Sequence, residues 1–436
     1  MASPEKIQAE SSKQATKADR SSFTALQHRD FRLLWIGQLI STTGSQMQLV
    51  AINWHVYLLT RSSLALGAVG LVRVVPIILC SLLGGVVADA FDRRRLLLIT
   101  QTVMLLSAGA LAAITASSLE SVWPIYLLTA ISSAAVAFDN PARQALLPML
   151  VPAEIFPNAV SLGLIAFQVS MITGPALAGL ILSAFSQQSA RSGPAIVYAL
   201  NAISFLAVIV AVLRMRVSGR AHIGENEAAS RVSLSALREG LSFVWRTPII
   251  VQTMTLDFIA TFFASATALL PIISTEVLHV GARGYGVLAA SPAIGSVLAA
   301  FVMARLGVVR RQGATVIGAV AIYGAATVAF GLSKIFWLSL LMLAVTGAAD
   351  TVSTVLRQTI RQLVTPNHLR GRMTSVNMIF FMGGPQLGEM EAGVVAKLIG
   401  APLSVVTGGI GCLVSVVMAT RMATNLLSYE YDAEKR

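Results

Sequence analysis

The sequence predicts an all-α integral membrane protein: twelve transmembrane helices forming two parallel-repeat six-helix bundles. Three observations support this. Apolar runs of membrane-crossing length recur along all 436 residues. Only 12% of the residues are charged and 55% are hydrophobic, whereas a soluble domain carries about a quarter charged residues. Glycines, prolines and arginines also recur at a fixed offset between the two parts of the chain.

A helix needs about 20 apolar residues to cross roughly 30 Å of hydrocarbon. By that rule the first spans fall at 33–58, 64–88, 96–116, 122–144, 158–185 and 193–214. The others fall at 248–272, 285–306, 313–331, 336–357, 373–398 and 401–424. Their limits are set by basic turns, and these alternate in strength. The strong ones are the tail up to Arg32, Arg93 to Arg95, Arg143, the stretch from Arg214 to Arg246, Arg305 to Arg311, Arg357 to Arg372 and the C-terminus, which together hold 26 of the 32 Lys and Arg residues. The intervening turns hold five: Arg61, Arg191, Arg283, Lys334 and Lys397. Basic residues favour the cytoplasmic side, so both termini are expected there, in a cell inner (plasma) membrane. Trp35, Trp54, Trp123, Trp245 and Trp337 all fall near span ends, where amphipathic rings prefer to sit.

This division gives a disordered cytosolic tail at 1–32, bundles at 33–215 and 248–424, a linker at 216–247 and a second tail at 425–436. Within the linker, Leu234, Leu237, Leu241 and Phe243 alternate with Arg231, Arg238, Glu239 and Arg246, the pattern of an amphipathic surface helix. The net charge of +12 is explained by topology, so nucleic acid is not an expected partner; the lipid bilayer is. Cys80 and Cys412 lie in apolar runs with no spaced metal-binding cluster, so neither a metal nor another cofactor is expected.

An offset of 216 places Gly70 on Gly286, Pro76 on Pro292, and Arg94 and Arg95 on Arg310 and Arg311. An offset of 214 places Arg143 on Arg357, Pro152 on Pro366, Ser161 on Ser375, Gly174 on Gly388 and Gly179 on Gly393. Copies separated by an even number of spans share orientation, so a parallel repeat about the membrane normal is expected.

Two motifs carry a family resemblance. Gly85 and Asp89 precede Arg93, Arg94 and Arg95, with Ala90 and Asp92 where a base and a glycine are usual. In the fifth span, Ser161, Ser170, Gly174, Pro175, Ala178 and Gly179 occupy the small-residue and proline positions of an exporter's antiporter helix. The chain thus resembles the major facilitator superfamily, and within it the drug and siderophore exporters of the enterobactin and macrolide-efflux group. The resemblance implies proton-coupled export of a small amphipathic molecule by alternating access, by a functional monomer that uses the proton gradient and no cofactor. It also implies a gating role for the charged loop, and a cavity lined by the first, fourth, seventh and tenth spans. An importer or facilitator on the same fold remains open.

Charged groups in hydrocarbon cost about 2.5–3.5 kcal/mol each and need a partner, water or a proton. Asp257, amid Met254, Phe258, Phe262 and Phe263, is the first candidate for proton or substrate coupling. Glu389 and Glu391 lie roughly 200° apart on one helix. Glu389 shares a face with Gln386, and Glu391 lies beside the stripe Gly384, Gly388 and Ala392. Arg73 lies at matching depth and is expected to pair with one of them. Gln38, Gln46, Phe258, Phe262 and Gln386 are further cavity candidates. Asp139 and Asp350 read as structural anchors, Asp139 through Arg143. No phosphate-binding loop, nucleophile elbow or His-Glu-x-x-His segment is present, which argues against ATP drive and against an enzyme.

Overall fold

The computed structural model describes residues 23–117, 121–185, 191–217, 241–265, 267–307, 309–366, 369–422 and 424–430. The side chains of 81–90, 371–372, 375, 379, 422 and 424–425 lie outside that description. The expected N-terminal tail up to residue 22, most of the amphipathic linker helix, and the side chains of Gly85 and Asp89 therefore lie outside the described residues; 241–246 is helical.

All regular structure among the described residues is helical. The first six long helices are α1 (Arg29–Thr60), α2 (Ser63–Ala90), α3 (Arg93–Ala116), α4 (Trp123–Leu146), α5 (Phe156–Ala184) and α6 (Ser192–Arg214). α7 (Pro248–Phe263) continues through a short 3-10 turn and a π-helical turn, Ile273–Val277. Then follow α8 (Gly281–Leu306), α9 (Gln312–Leu332), α10 (Phe336–Val364), α11 (Arg370–Ile399) and α12 (Ala401–Met422). Nine helical segments among the described residues are long and apolar enough to cross a membrane. α1, α4 and α11 fall outside that set although they have 32, 24 and 30 residues. These three carry Gln38 and Gln46, Asp139 and Arg143, and Glu389 and Glu391, respectively.

Local chemistry sets several ends. Asp92, which stands where the loop motif usually has glycine, caps α3: its carboxylate accepts from the backbone N–H of Arg94 at 2.9 Å and of Arg95 at 3.2 Å. Arg94 Nη2 donates to the carbonyl of Leu213 at 2.8 Å, satisfying an open acceptor at the end of α6. Asp30, in the first turn of α1, accepts from the N–H groups of Arg216 and Val217. α11 ends at Gly400, whose φ of 89° suits a residue without Cβ.

The packing repeats. In the first set of six, α1 packs on α5 and α6, α3 on α4 and α6, and α2 on α4. In the second, α7 packs on α11 and α12, α9 on α10 and α12, and α8 on α10. Between the sets, α2 packs on α11 and α5 on α8, a pairing that maps onto itself when the sets are exchanged. Each of these four helices contains an internal proline: Pro76, Pro175, Pro292 and Pro385. Proline removes a ladder bond and bends its helix.

The two ends of the molecule differ. At the end carrying the α1–α2 and α7–α8 turns, one apolar core joins both sets: Val50, Trp54, Tyr57 and Leu66 pack with Leu269, Ile273, Tyr285 and Ala392. At the other end the cores separate. Phe31, Leu97, Leu146 and Val212 cluster within the first set, and Leu256, Val316, Leu356 and Ile360 within the second.

Three arginines sit differently from the sequence-based expectation. Arg143, Arg357 and Arg361 were counted in basic turns, yet all three lie inside α4 and α10. An apolar run that stops at its first cation reads as a span end, whereas α10 continues to Val364 because Arg357 and Arg361 find partners inside the protein. Without these three, basic residues still divide 23 to five between the two groups of turns.

Candidate functional site

The deepest ionic group joins α7 and α10. Arg357 Nη2 lies 2.8 Å from Asp257 Oδ1, with 1% and 3% of the two side chains exposed. The same nitrogen donates to Thr354 Oγ1 at 2.9 Å and lies 3.8 Å from Asp350 Oδ1. One turn on, Arg361 Nη1 donates to Asn377 Oδ1 of α11 at 2.6 Å. Asp257, the first candidate for coupling, is half of a buried ion pair whose partner the sequence reading did not name. Sequence reasoning missed Arg357. The signal available was its alignment with Arg143 at the 214 offset.

α4 carries the counterpart. Asp139 pairs with Arg143 as expected and also accepts from Thr100 Oγ1 and Gln101 Nε2, both at 2.9 Å. Gln38 of α1 accepts from Arg143 Nε at 2.9 Å once its amide is oriented to do so. In each set, an arginine of the fourth helix thus lies near an acid of its own helix and is bonded to a polar group of the first. The two acids differ in environment. Asp139 is buried and fully bonded, whereas the Asp350 side chain is 47% exposed.

Asp350 meets a cavity of about 260 Å³ between the two helix sets. Thr261 of α7, Tyr323 and Phe330 of α9, and Gln168 and Met171 of α5 contribute to its wall. Phe258 turns instead toward α11, meeting Phe380 edge-on at 6.1 Å; the Phe262 ring stacks on Phe258 at 5.9 Å, and its main-chain carbonyl is where a Cβ on Gly388 would collide. The stripe of Gly384, Gly388 and Ala392 thus serves packing, with its two glycines against α7.

Glu389 lies in the α2–α11 seam. It accepts from Thr267 Oγ1 at 3.1 Å, and its Oε2 would be 2.9 Å from a Cβ on Gly70. Arg73 is within electrostatic reach of Glu389 but outside the 4.0 Å ion-pair range among the described residues. Glu391 is half-buried on another face of α11. Gln386 presents its carbonyl toward Gly70, and its Oε1 is buried without a hydrogen-bond partner.

The small residues of α5 make two contacts. Ser170 accepts from Thr43 Oγ1 at 3.0 Å, and Gly174 faces Thr43, Gln46 and Met47 of α1. Gly179 abuts Gly286 of α8, which also meets the Pro175 carbonyl, while Ala178 is buried in the shared core. Ser161 is exposed and bonds, among the described residues, to the Pro157 carbonyl of its own helix. In the charged turn, Arg93 Nη1 lies 4.0 Å from Met149 Sδ, within the first helix set.

The shared end carries polar cross-contacts that sequence reasoning missed. Tyr57 Oη donates to Glu276 Oε1 at 2.9 Å, Arg61 Nη1 donates to Tyr57 Oη at 2.6 Å, and Ser63 Oγ donates to the Gly393 carbonyl at 3.0 Å. Glu276 belongs to the π-helical turn, an irregularity frequent at functional sites.

Known proteins agree with this architecture. The family described as transmembrane secretion effector matches residues 20–434. The multidrug efflux pump Tap of Mycolicibacterium fortuitum is 25% identical over 84% of this chain and 89% of its own. The enterobactin exporter EntS of Citrobacter koseri is 21% identical over 89% and 90%. The staphyloferrin A transporter of Staphylococcus aureus is 28% identical over 62% and 63%. Among solved structures, a peptide-transporter-family protein bound to 5-aminolevulinic acid superposes with a TM-score of 0.72 at 11% identity, covering 91% of this chain and 96% of that one. A bacterial homologue of the human lysosomal transporter Spinster, inward-facing and unoccupied, gives 0.71 at 14%, covering 93% and 99%. At such identities these two establish the fold alone. The matched family, the helical repeat and the cavity between the sets together place this chain in the transmembrane secretion effector family of the major facilitator superfamily, as a multi-pass membrane transporter and not an enzyme.

Proposed function

We propose that the protein is a proton-coupled exporter of a small amphipathic molecule, of the drug or siderophore class, across the inner membrane. It works as a monomer of twelve spans, with α1, α4 and α11 crossing alongside the nine more apolar segments and both termini cytoplasmic. The bundles at 33–215 and 248–424 rock about the cavity, and the linker at 216–247 tethers them. The observation that carries this reading is the asymmetry of the cores: one core is shared at the end proposed to be external, and two separate cores lie at the end proposed to be cytoplasmic. That is an inward-open arrangement, able to take cargo from the cell. The names of the efflux relatives favour the direction.

Asp257 and Glu389 are the proposed proton carriers, because each is a buried acid near an arginine whose fixed charge is compensated when the carboxyl group is ionised and left uncompensated when it takes a proton. Arg73 is proposed to steady Glu389 electrostatically across the closed outer seam, with Glu391 the second candidate partner, and Asp89 with Arg93 to Arg95 would latch the opposite end. The test is flux of a drug and siderophore panel in proteoliposomes under an imposed pH gradient, with Asp257→Asn as control. Outward cargo movement driven by inward protons, and lost in Asp257→Asn, is expected. Gradient-independent flux, or full activity in the variant, defeats the coupling scheme. Charge exchange between Arg73 and Glu389 tests the seam: failure to restore flux lost in both single variants removes that pair.

A further inference from the structure

Asp350 is an acid within a span that the coupling scheme does not use and that, unlike Asp139, is not fully bonded. Arg357 is committed to Asp257 at 2.8 Å and to Thr354 at 2.9 Å, which leaves Asp350 at 3.8 Å from the guanidinium and 3.5 Å from Thr354 Oγ1. Both separations are too long for a strong hydrogen bond. The carboxylate is instead directed into the cavity, and it is the only charged side chain among the described residues of that cavity's wall. Tyr323 and Phe330 supply aromatic surface and Met171 a polarisable one. A second observation lies behind it. Ser353, 1% exposed, borders a small niche beside the cavity that Asp350, Tyr323 and Arg357 also line, and its hydroxyl has no hydrogen-bond partner among the described residues. A buried hydroxyl left open beside an under-paired carboxylate is a polar end waiting for a ligand group.

We propose that the cavity binds an amphipathic organic monocation, whose charged end sits at Asp350 and whose apolar body lies against Tyr323, Phe330 and Met171. This rests on the exporter reading and narrows its substrate class: Asp350 is the one charged side chain among the described residues of the cavity wall, and Arg357 behind it is already neutralised by Asp257, so the site is net negative and attracts amines and onium ions while repelling polyanionic chelators. Aromatic faces add attraction for a weakly hydrated cation.

The test uses full-length protein in nanodiscs and radiolabelled tetraphenylphosphonium, a permanent cation, with binding read by scintillation proximity. Asp350→Asn is expected to weaken binding about tenfold or more, and Asp350→Glu to stay within about threefold of wild type. Neutral triphenylphosphine oxide is expected to displace the probe poorly. Should Asp350→Asn not fold, wild-type protein carries the test: tetraphenylphosphonium is expected to slow carbodiimide labelling of Asp350, read by peptide mass spectrometry, about fivefold. Unchanged affinity in a folded Asp350→Asn, unprotected labelling, equal displacement by the neutral compound, or no binding to wild type overturns the proposal. Binding is read without a gradient, so failure of proton-driven export would leave this result standing.

Discussion

Arg357 and Asp257 form a buried ion pair, 2.8 Å apart, that links α10 to α7 at a depth where neither charge has water to fall back on. Asp257 Oδ2 and Arg357 Nε lack further partners, so each residue depends on the other.

Removing one partner leaves an uncompensated charge, and Asp257→Ala or Arg357→Ala is expected to lower stability by about 3–5 kcal/mol. The double variant should be destabilised by less than the sum of the singles. Thermal unfolding in detergent measures both, and strict additivity would show that the two side chains do not act as a pair.

Asp139 and Asp350 should separate in the same assay. Asp139→Ala removes the acceptor that Arg143, Thr100 and Gln101 share, which predicts a loss of about 3 kcal/mol. Asp350, half-exposed and loosely held, should cost about 1 kcal/mol or less on replacement by alanine. The reverse order would mean that Asp350 is the anchor.

Much of this architecture is legible in the sequence, because span length and small-residue spacing are local properties. The offsets of 216 and 214 reappear as matching packing in the two helix sets, and Gly174, Ala178 and Gly179 lie at helix contacts. Ion-pair partners across helices are not local. Arg357 reads as a turn residue until α7 is brought alongside, and Glu276 looks like an ordinary loop acid until Tyr57 arrives from 219 positions away. Asp92 illustrates a substitution that looks like decay of a motif and proves to be a helix cap.

Gly179→Leu is expected to force the shared end open. A Cβ at Gly179 would already lie 2.7 Å from Gly286 Cα, so a larger side chain overpacks the seam by about 1–3 kcal/mol. In a background lacking Cys80 and Cys412, a Gln168→Cys reporter in the cavity wall should then react with a membrane-impermeant thiol reagent, added from that end, roughly tenfold faster. An unchanged rate would show that α5 and α8 do not separate there.

Tyr57→Phe removes the hydroxyl that receives from Arg61 and donates to Glu276. Because Glu276 is exposed, the expected bias toward opening is only about 1 kcal/mol, or roughly fivefold in the same labelling rate. Glu276→Gln combined with Tyr57→Phe should add little to either change alone. Fully independent effects would place the two groups in separate interactions.

The glycine contacts bear on how quickly the transporter can turn over. Where Gly67 meets Gly393 and Gly179 meets Gly286, main chain touches main chain with no interlocking side chains between. Surfaces of this kind slide apart without any rotamer having to change and come back into register without searching for one. The slow step of each cycle should then reside in rearranging the buried charges, not in unfastening the end where the two helix sets share a core.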